Sequence, residues 1–156
     1  MSNYLIPLMV VVPMLCAILV NAFAKFNKSI KVLTFVVAIC LPIIPLLSNY
    51  GLHFFGGYTP MLDNATGVIY HPAITYAFDM LQQIFIAAVG LITFLVAFIY
   101  LSKYKKASGQ YLFLLFMGTA SVTALMLTDD IFNMFVFFEI LALVQVGIVI
   151  ASPMDY

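Results

Sequence analysis

The chain has 156 residues, of which 65% are hydrophobic and only 8% are charged, and its formal net charge is zero. A soluble domain carries about 25% charged residues, so these residues cannot cover a surface that faces water. The six basic residues are all lysines, which leaves no basic patch for nucleic acid and no guanidinium for phosphate. The composition excludes a soluble globular domain and predicts an integral membrane protein.

Five apolar segments have about the 20 residues that a helix needs to cross the core of a bilayer. In chain order they are 4–23, 30–50, 81–101, 111–128 and 131–151. The segments are continuously apolar, whereas membrane β-strands alternate between apolar and polar residues. The sequence therefore predicts an all-α, polytopic membrane protein in which residues 1–156 form a single transmembrane domain.

The connection between the second and third spans, residues 51–78, is the longest. Turn-forming residues such as Gly56–Gly57 and Asp63–Asn64 separate short pieces with β propensity. We expect a hairpin-like loop at the outer membrane surface.

All six lysines flank two of the connections. They are Lys25, Lys28 and Lys31 beside the first connection, and Lys103, Lys105 and Lys106 beside the third. Positive charge concentrates on the cytoplasmic side of membrane proteins, and five alternating spans place both connections on one side. The N-terminus is therefore predicted to lie outside and residues 152–156 to lie in the cytoplasm.

Glu139 is the ninth of the 21 residues of the fifth span, close to the middle of the membrane. A charged side chain at this depth costs about 2.5–3.5 kcal/mol on insertion scales, and intramembrane acids usually mark ion or proton pathways. Such a carboxylate must be protonated, paired with a cation or hydrated. A group balanced between these states can take up and release protons.

The residues that share the helix face of Glu139, three, four and seven positions away, are all apolar. They are Phe132, Phe135, Val136, Leu143 and Val146. No Lys, Arg or His lies near the centre of any span. Glu139 therefore has no cationic partner at its own depth within this chain.

Thr119 and Thr123, four residues apart on the fourth span, are candidates to line the same cavity as Glu139. The alternative is that they are ordinary packing residues between membrane helices. Asp79, Asp129 and Asp130 lie at the ends of spans, where we expect them to cap helices or face the outer surface. The sequence has no nucleophile–base pair, metal-ligand cluster or phosphate loop. We therefore expect no cofactor, no metal and no catalysis by this chain alone.

The stretch Tyr111–Ala151, and TDDIFNMFVFFEIL within it above all, resembles helices four and five of the antiporter-like subunits. These subunits occur in respiratory complex I, Mrp-type sodium/proton antiporters and energy-converting membrane-bound hydrogenases. The segment FGGY, followed by a loop and Phe78–Asp79, is similar to the family's region before its third helix. In that family the helix-five carboxylate, which corresponds to Glu139, works with a lysine on a later, broken helix.

The resemblance implies a membrane-arm subunit of a redox-driven ion pump or cation/proton antiporter, with Glu139 in the proton or sodium path. The family's conducting core begins at helix four and extends beyond the position of Tyr156, so we expect another chain to complete the path. The implied partners are other membrane subunits, one of them with a mid-helix lysine, the lipid bilayer and, indirectly, a soluble redox module. The implied location is the cytoplasmic membrane of a prokaryote. The alternative is a structural or assembly subunit with no ion path of its own.

Overall fold

The computed structural model of the protein describes residues 5–23, 27–49, 51–56, 61–62, 69–70, 74–104 and 108–151. Within these ranges the chain forms five helices. They are α1 Leu5–Ala22, α2 Asn27–Leu47, α3 Met80–Lys103, α4 Gly109–Leu127 and α5 Ile131–Ala151. From α2 to α5 each helix is long and apolar enough to cross a membrane, and α1 is a shorter apolar helix. The prediction of a helical membrane protein is confirmed.

The largest difference from the predicted spans is in α2, which begins at Asn27 and ends at Leu47 rather than running from 30 to 50. Its end is fixed by Ser48, whose backbone N–H donates to Pro45 O at 3.1 Å and whose hydroxyl donates to Ile44 O at 2.8 Å. A bond to the residue three positions back tightens the last turn and ends the helix.

The connection between α2 and α3 contains two antiparallel strand pairs, one enclosed by the other in sequence. Strand β1 (Leu52–Gly56) pairs with β4 (Ile74–Phe78), and β2 (Met61–Leu62) pairs with β3 (Ile69–Tyr70). Gly51 enters β1 with φ of 76°, a conformation that favours glycine. The turn expected at Asp63–Asn64 lies outside the described residues.

The helices pack around α4, which contacts α1, α3 and α5, while α2 packs chiefly against α3. Two buried apolar clusters fill the bundle. The cluster nearest the paired strands, called the hairpin-end cluster, contains Phe78 of β4 with residues such as Ile6 and Leu127. The tyrosine-end cluster contains Tyr100 with residues such as Ile30 and Phe116.

Lys31 is near the start of α2 and Lys103 is the last residue of α3. Both lie at the tyrosine end of the bundle, because the first turns of α2 lie beside the end of α3. The ammonium group of Lys31 donates to Tyr104 O at 3.2 Å. Tyr100 stacks on Tyr111 with ring centroids 4.3 Å apart, and its hydroxyl accepts a hydrogen bond from Ser108 N at 2.9 Å. These contacts hold the end of α3 against the start of α4. Of the predicted basic residues, Lys25, Lys105 and Lys106 lie outside the described residues.

Candidate functional site on α5

Glu139 lies on the exposed surface of α5, about 12 Å along the helix axis from its first residue at 1.5 Å per residue. Its apolar neighbours on the same face are exposed as well. They are Phe132, Phe135, Val136, Leu143 and Val146. A carboxylate thus stands within a broad apolar surface that the other four helices do not cover.

The opposite side of α5 makes the contact with α4. Asn133 and Val144 are its buried residues, and Phe137, Leu141 and Ile148 are partly buried. At 100° per residue, these positions project roughly 120–200° away from Glu139 around the helix. The packing of the bundle therefore directs Glu139 away from the rest of this chain.

Thr119 is buried between α4 and α3, and its hydroxyl contacts a side chain of α3. Its hydroxyl lies 2.8 Å from the hydroxyl of Thr93 and 2.9 Å from Leu115 O. Thr93 is also within hydrogen-bonding distance of Val89 O, at 2.9 Å. The sequence alone does not single out Thr93, since a lone threonine in an apolar span is ordinary. Only its contact with Thr119 distinguishes it.

Thr123 is buried one turn further along α4, and with Thr119 it lines a small cavity enclosed by α1, α2, α3 and α4. Glu139 does not line this cavity, and it does not line the groove between α3, α4 and α5 that contains Thr119 and Gln145. The structure therefore brings the two threonines together and separates both from Glu139. The expectation that all three side chains share one cavity within these helices does not hold, because the threonines and Glu139 lie on opposite sides of the α4–α5 contact.

The acidic residues at the helix ends have different contacts. Asp130 caps α5, since its carboxylate oxygens accept from Phe132 N at 3.1 Å and Asn133 N at 3.3 Å. Asp79 is the N-cap residue of α3, and its backbone N–H donates to Gln82 Oε1 at 3.0 Å. Asp129 is exposed.

Basic side chains are distant from the middle of the bundle. The described helices carry lysine only within the first five residues of α2 and at the last residue of α3. Within the described residues, no three His, Cys, Asp or Glu side chains form a group that could hold a metal ion. What the site presents chemically is one carboxylate, placed for contact with groups outside this bundle.

No family model matches the chain. An uncharacterized protein of Methanocaldococcus jannaschii is 37% identical over 150 residues, which cover 96% of this chain and 30% of that protein. A chain in the structure of the membrane-bound sulfane sulfur reductase, an archaeal respiratory membrane complex, matches with a TM-score of 0.67 and 22% identity. That match covers 89% of this chain and 28% of the other.

The sequence thus spans about a third of the length of either match. The structural likeness shows the fold: the five helices have the arrangement found in part of a chain of a respiratory membrane complex. The sequence resemblance to antiporter-like subunits predicts a chain from this kind of complex. The structural match confirms that prediction at the level of the fold.

Proposed function

We propose that these five helices belong to the membrane arm of a redox-driven ion-translocating complex or of a cation/proton antiporter. Their contribution is the Glu139 carboxylate, which stands in a proton or sodium path that other helices complete. The observation that carries the proposal is the position of this acid: mid-helix, exposed, and on the side of α5 that faces away from its own bundle.

The carboxylate of Glu139 makes lipid a poor neighbour for this face. An ionised carboxylate facing hydrocarbon costs about 2.5–3.5 kcal/mol on the most lenient scale. Membrane proteins turn such groups toward the bundle interior, a water-filled cavity or an opposite charge. Since the described helices of this chain offer none of these to Glu139, further membrane helices must cover the open face of α5 and supply a cation or water there.

A lysine in the middle of a covering helix would suit this acid best, as the resemblance also implies. An ammonium group within about 4–6 Å stabilises the ionised carboxylate, and its departure favours the protonated form. Alternation between these two arrangements would load and release a proton. Whether the covering helices are encoded with these five or separately, the chemistry required of them is the same.

The orientation of the bundle follows from its lysines. Lys28, Lys31 and Lys103 lie at one end of the helices, and the strand-containing connection lies at the other. We propose that the lysine end is cytoplasmic and that the strands β1–β4 lie at the outer surface of a prokaryotic membrane. Labelling of single cysteines at Ser102 and Asp129 with a membrane-impermeant thiol reagent in intact cells tests this. The native cysteines should first be replaced, so that only the introduced one can react. Reaction should then occur at residue 129 only, and reaction only at 102 would reverse the orientation.

A structural role is the second candidate, and one observation favours it. Glu139 lines neither the cavity that contains Thr119 and Thr123 nor the groove that contains Thr93 and Thr119. Within the described helices, neither of these two spaces gives the acid a polar route. In this alternative the covering helices hydrogen-bond a permanently protonated Glu139, and the bundle only holds neighbouring membrane subunits together.

Replacement of Glu139 by glutamine separates the two candidates. Glutamine preserves the size and hydrogen bonding of the side chain but cannot exchange a proton. We expect Glu139→Gln to abolish proton or sodium uptake into sealed membrane vesicles, while the assembled complex is recovered at the normal level. The matched control is Asp129→Asn, which removes an exposed acid from the end of the helix and should leave transport unchanged. Normal transport by the Glu139→Gln protein would establish the structural role instead.

A further inference from the structure

A cavity of about 10 Å³ lies at the meeting point of α1, α2, α3 and α4, between the hairpin-end and tyrosine-end clusters. Its lining includes Met9 of α1, Leu41 of α2 and both Thr119 and Thr123 of α4. A single water needs a cavity of roughly 10–15 Å³ and two to four polar partners. The volume matches one water and excludes any larger ligand, so the question is whether polar partners are present.

Thr123 provides the first partner. Its side chain is only 3% exposed, and its hydroxyl makes no hydrogen bond with another residue that the structure describes. Threonine in a helix often bonds to the carbonyl four residues back, as Thr119 does. A buried hydroxyl without a partner is unfavourable. Thr123 lines the cavity, so a molecule within the cavity is available to pair with it.

Two prolines free carbonyl groups on residues that line the cavity. Proline has no N–H, so the carbonyl four residues before it loses its helical hydrogen bond. Pro13 in α1 has this effect on Met9, and Pro45 in α2 has it on Leu41. Both Met9 and Leu41 line the cavity. In membrane helices, carbonyls freed by proline are paired again through neighbouring hydroxyls or ordered water.

The Thr119 hydroxyl provides another acceptor for a donor in the cavity. Three contacts at hydrogen-bonding distance involve this hydroxyl and that of Thr93: Thr93 with Val89 O, Thr119 with Leu115 O, and the two with each other. Two hydroxyls carry two protons and can make only two of these bonds as donors. The Thr119 oxygen has two lone pairs, so it can also accept a hydrogen bond from a water in the cavity that it lines.

We propose that this cavity binds one water molecule, which bonds to Thr123 and links α4 to the proline-containing helices α1 and α2. A sodium ion fits the site poorly, because the cavity lining contains no carboxylate to balance its charge. The site lies on the opposite side of the α4–α5 contact from Glu139. It is therefore independent of the proposed ion path.

Radiolytic labelling in native membranes tests the proposal directly. Brief X-ray exposure makes hydroxyl radicals from water, and these oxidise reactive side chains that contact a bound water even when they are buried. Met9 is the reporter, because it lines the cavity and is only 4% exposed. We expect its oxidation, measured by mass spectrometry, to be well above background in the wild-type protein and to fall to background in Thr123→Val.

The structure offers a matched control in Thr34. This threonine is also fully buried, and its hydroxyl has no partner among the described residues, but it does not line the cavity. Thr34→Val should leave the oxidation of Met9 at the wild-type level. Thr123→Ser, which retains the hydroxyl, should do the same, and it keeps the test available if the valine variant does not fold.

Three results would overturn the proposal. The first is oxidation of Met9 at background level in the wild-type protein, which would mean a dry cavity. The second is equal oxidation of Met9 in wild-type and Thr123→Val, which would mean that the radicals reach Met9 by another route. The third is protection of Met9 by sodium chloride but not by choline chloride, which would assign the site to a cation.

Discussion

Helices α4 and α5 are neighbours of similar length and apolar character, yet they occupy different environments. In α4, 44% of the residues of the apolar segment are buried within the bundle, whereas in α5 only 6% are. The serine and threonine side chains of α4 are buried in the protein. By contrast, the one acid of α5 points out of it. Hydrophobicity alone shows that both helices belong in a membrane, but it does not distinguish a central helix from one at an open edge. The position of the carboxylate makes that distinction.

Truncation of one phenylalanine on each helix should give the largest contrast. Phe116 of α4 is fully buried, whereas Phe138 of α5 is 62% exposed. We expect Phe116→Ala to lower the free energy of unfolding by about 3–5 kcal/mol, because it opens a cavity in the core. Phe138→Ala should change it by less than about 0.5 kcal/mol in the isolated protein. Denaturant unfolding in detergent measures both, and losses of similar size would show that α5 is enclosed after all.

The glycines test how closely each pair of helices approaches. A Cβ at Gly90 of α3 would lie 2.7 Å from the backbone nitrogen of Pro42, while one at Gly147 of α5 would meet the flexible end of Leu114 at 2.9 Å. Gly90→Ala should therefore cost about 1–3 kcal/mol through overpacking. At Gly147 the helix propensity of alanine, about 1 kcal/mol better than glycine, should offset most of the strain. Thermal unfolding of the two variants should rank them in this order, and the reverse order would place the tighter contact at α5.

The cap of α5 should matter because few tertiary contacts hold this helix. Asp130→Ala removes the acceptor for two backbone N–H groups and should cost about 0.5–2 kcal/mol. The adjacent Asp129→Ala is the control, since Asp129 is exposed and should be nearly neutral. Hydrogen exchange of the amides of Phe132 and Asn133 should accelerate in the first variant only. Equal acceleration in both would mean that the charge near the helix end matters more than the cap.

A small gain in stability is expected where a buried hydroxyl serves no partner. Thr34 of α2 is fully buried and unpaired among the described residues. Thr119 of α4 is also buried, at 6% exposed, but its hydroxyl is hydrogen-bonded. Thr34→Val should raise the free energy of unfolding by about 1 kcal/mol, and Thr119→Val should lower it by a similar amount. Destabilisation by Thr34→Val would mean that its hydroxyl has a partner within the folded protein.

The sequence predicts the parts of this fold that depend on length and local chemistry. Span length sets the number of helices, and the depth of Glu139 follows from its place in the fifth span. A short acceptor just before a helix predicts the cap at Asp130. These features need no knowledge of how the helices pack.

The rest depends on which side each helix turns toward its neighbours. A helix that is apolar all round carries no amphipathic signal to define its buried face. The sequence therefore could not show that Thr119 and Thr123 turn away from Glu139, nor that Thr93 meets Thr119. Pairing of residues as far apart as Leu52 and Phe78 is likewise set by tertiary contacts rather than by local propensity.

The junction between the strands and α5 has a mechanical consequence. Tyr76 of β4 forms a backbone bridge to Thr128, and the Thr128 hydroxyl accepts a hydrogen bond from the Asn133 side chain at 2.9 Å. The strand, the turn and the first turn of α5 are therefore clamped together as one unit. A movement of the α5 backbone at Glu139 must therefore bend the helix beyond this junction or move the strands as well. A reagent that binds the strands would then restrict the movement of α5 at Glu139.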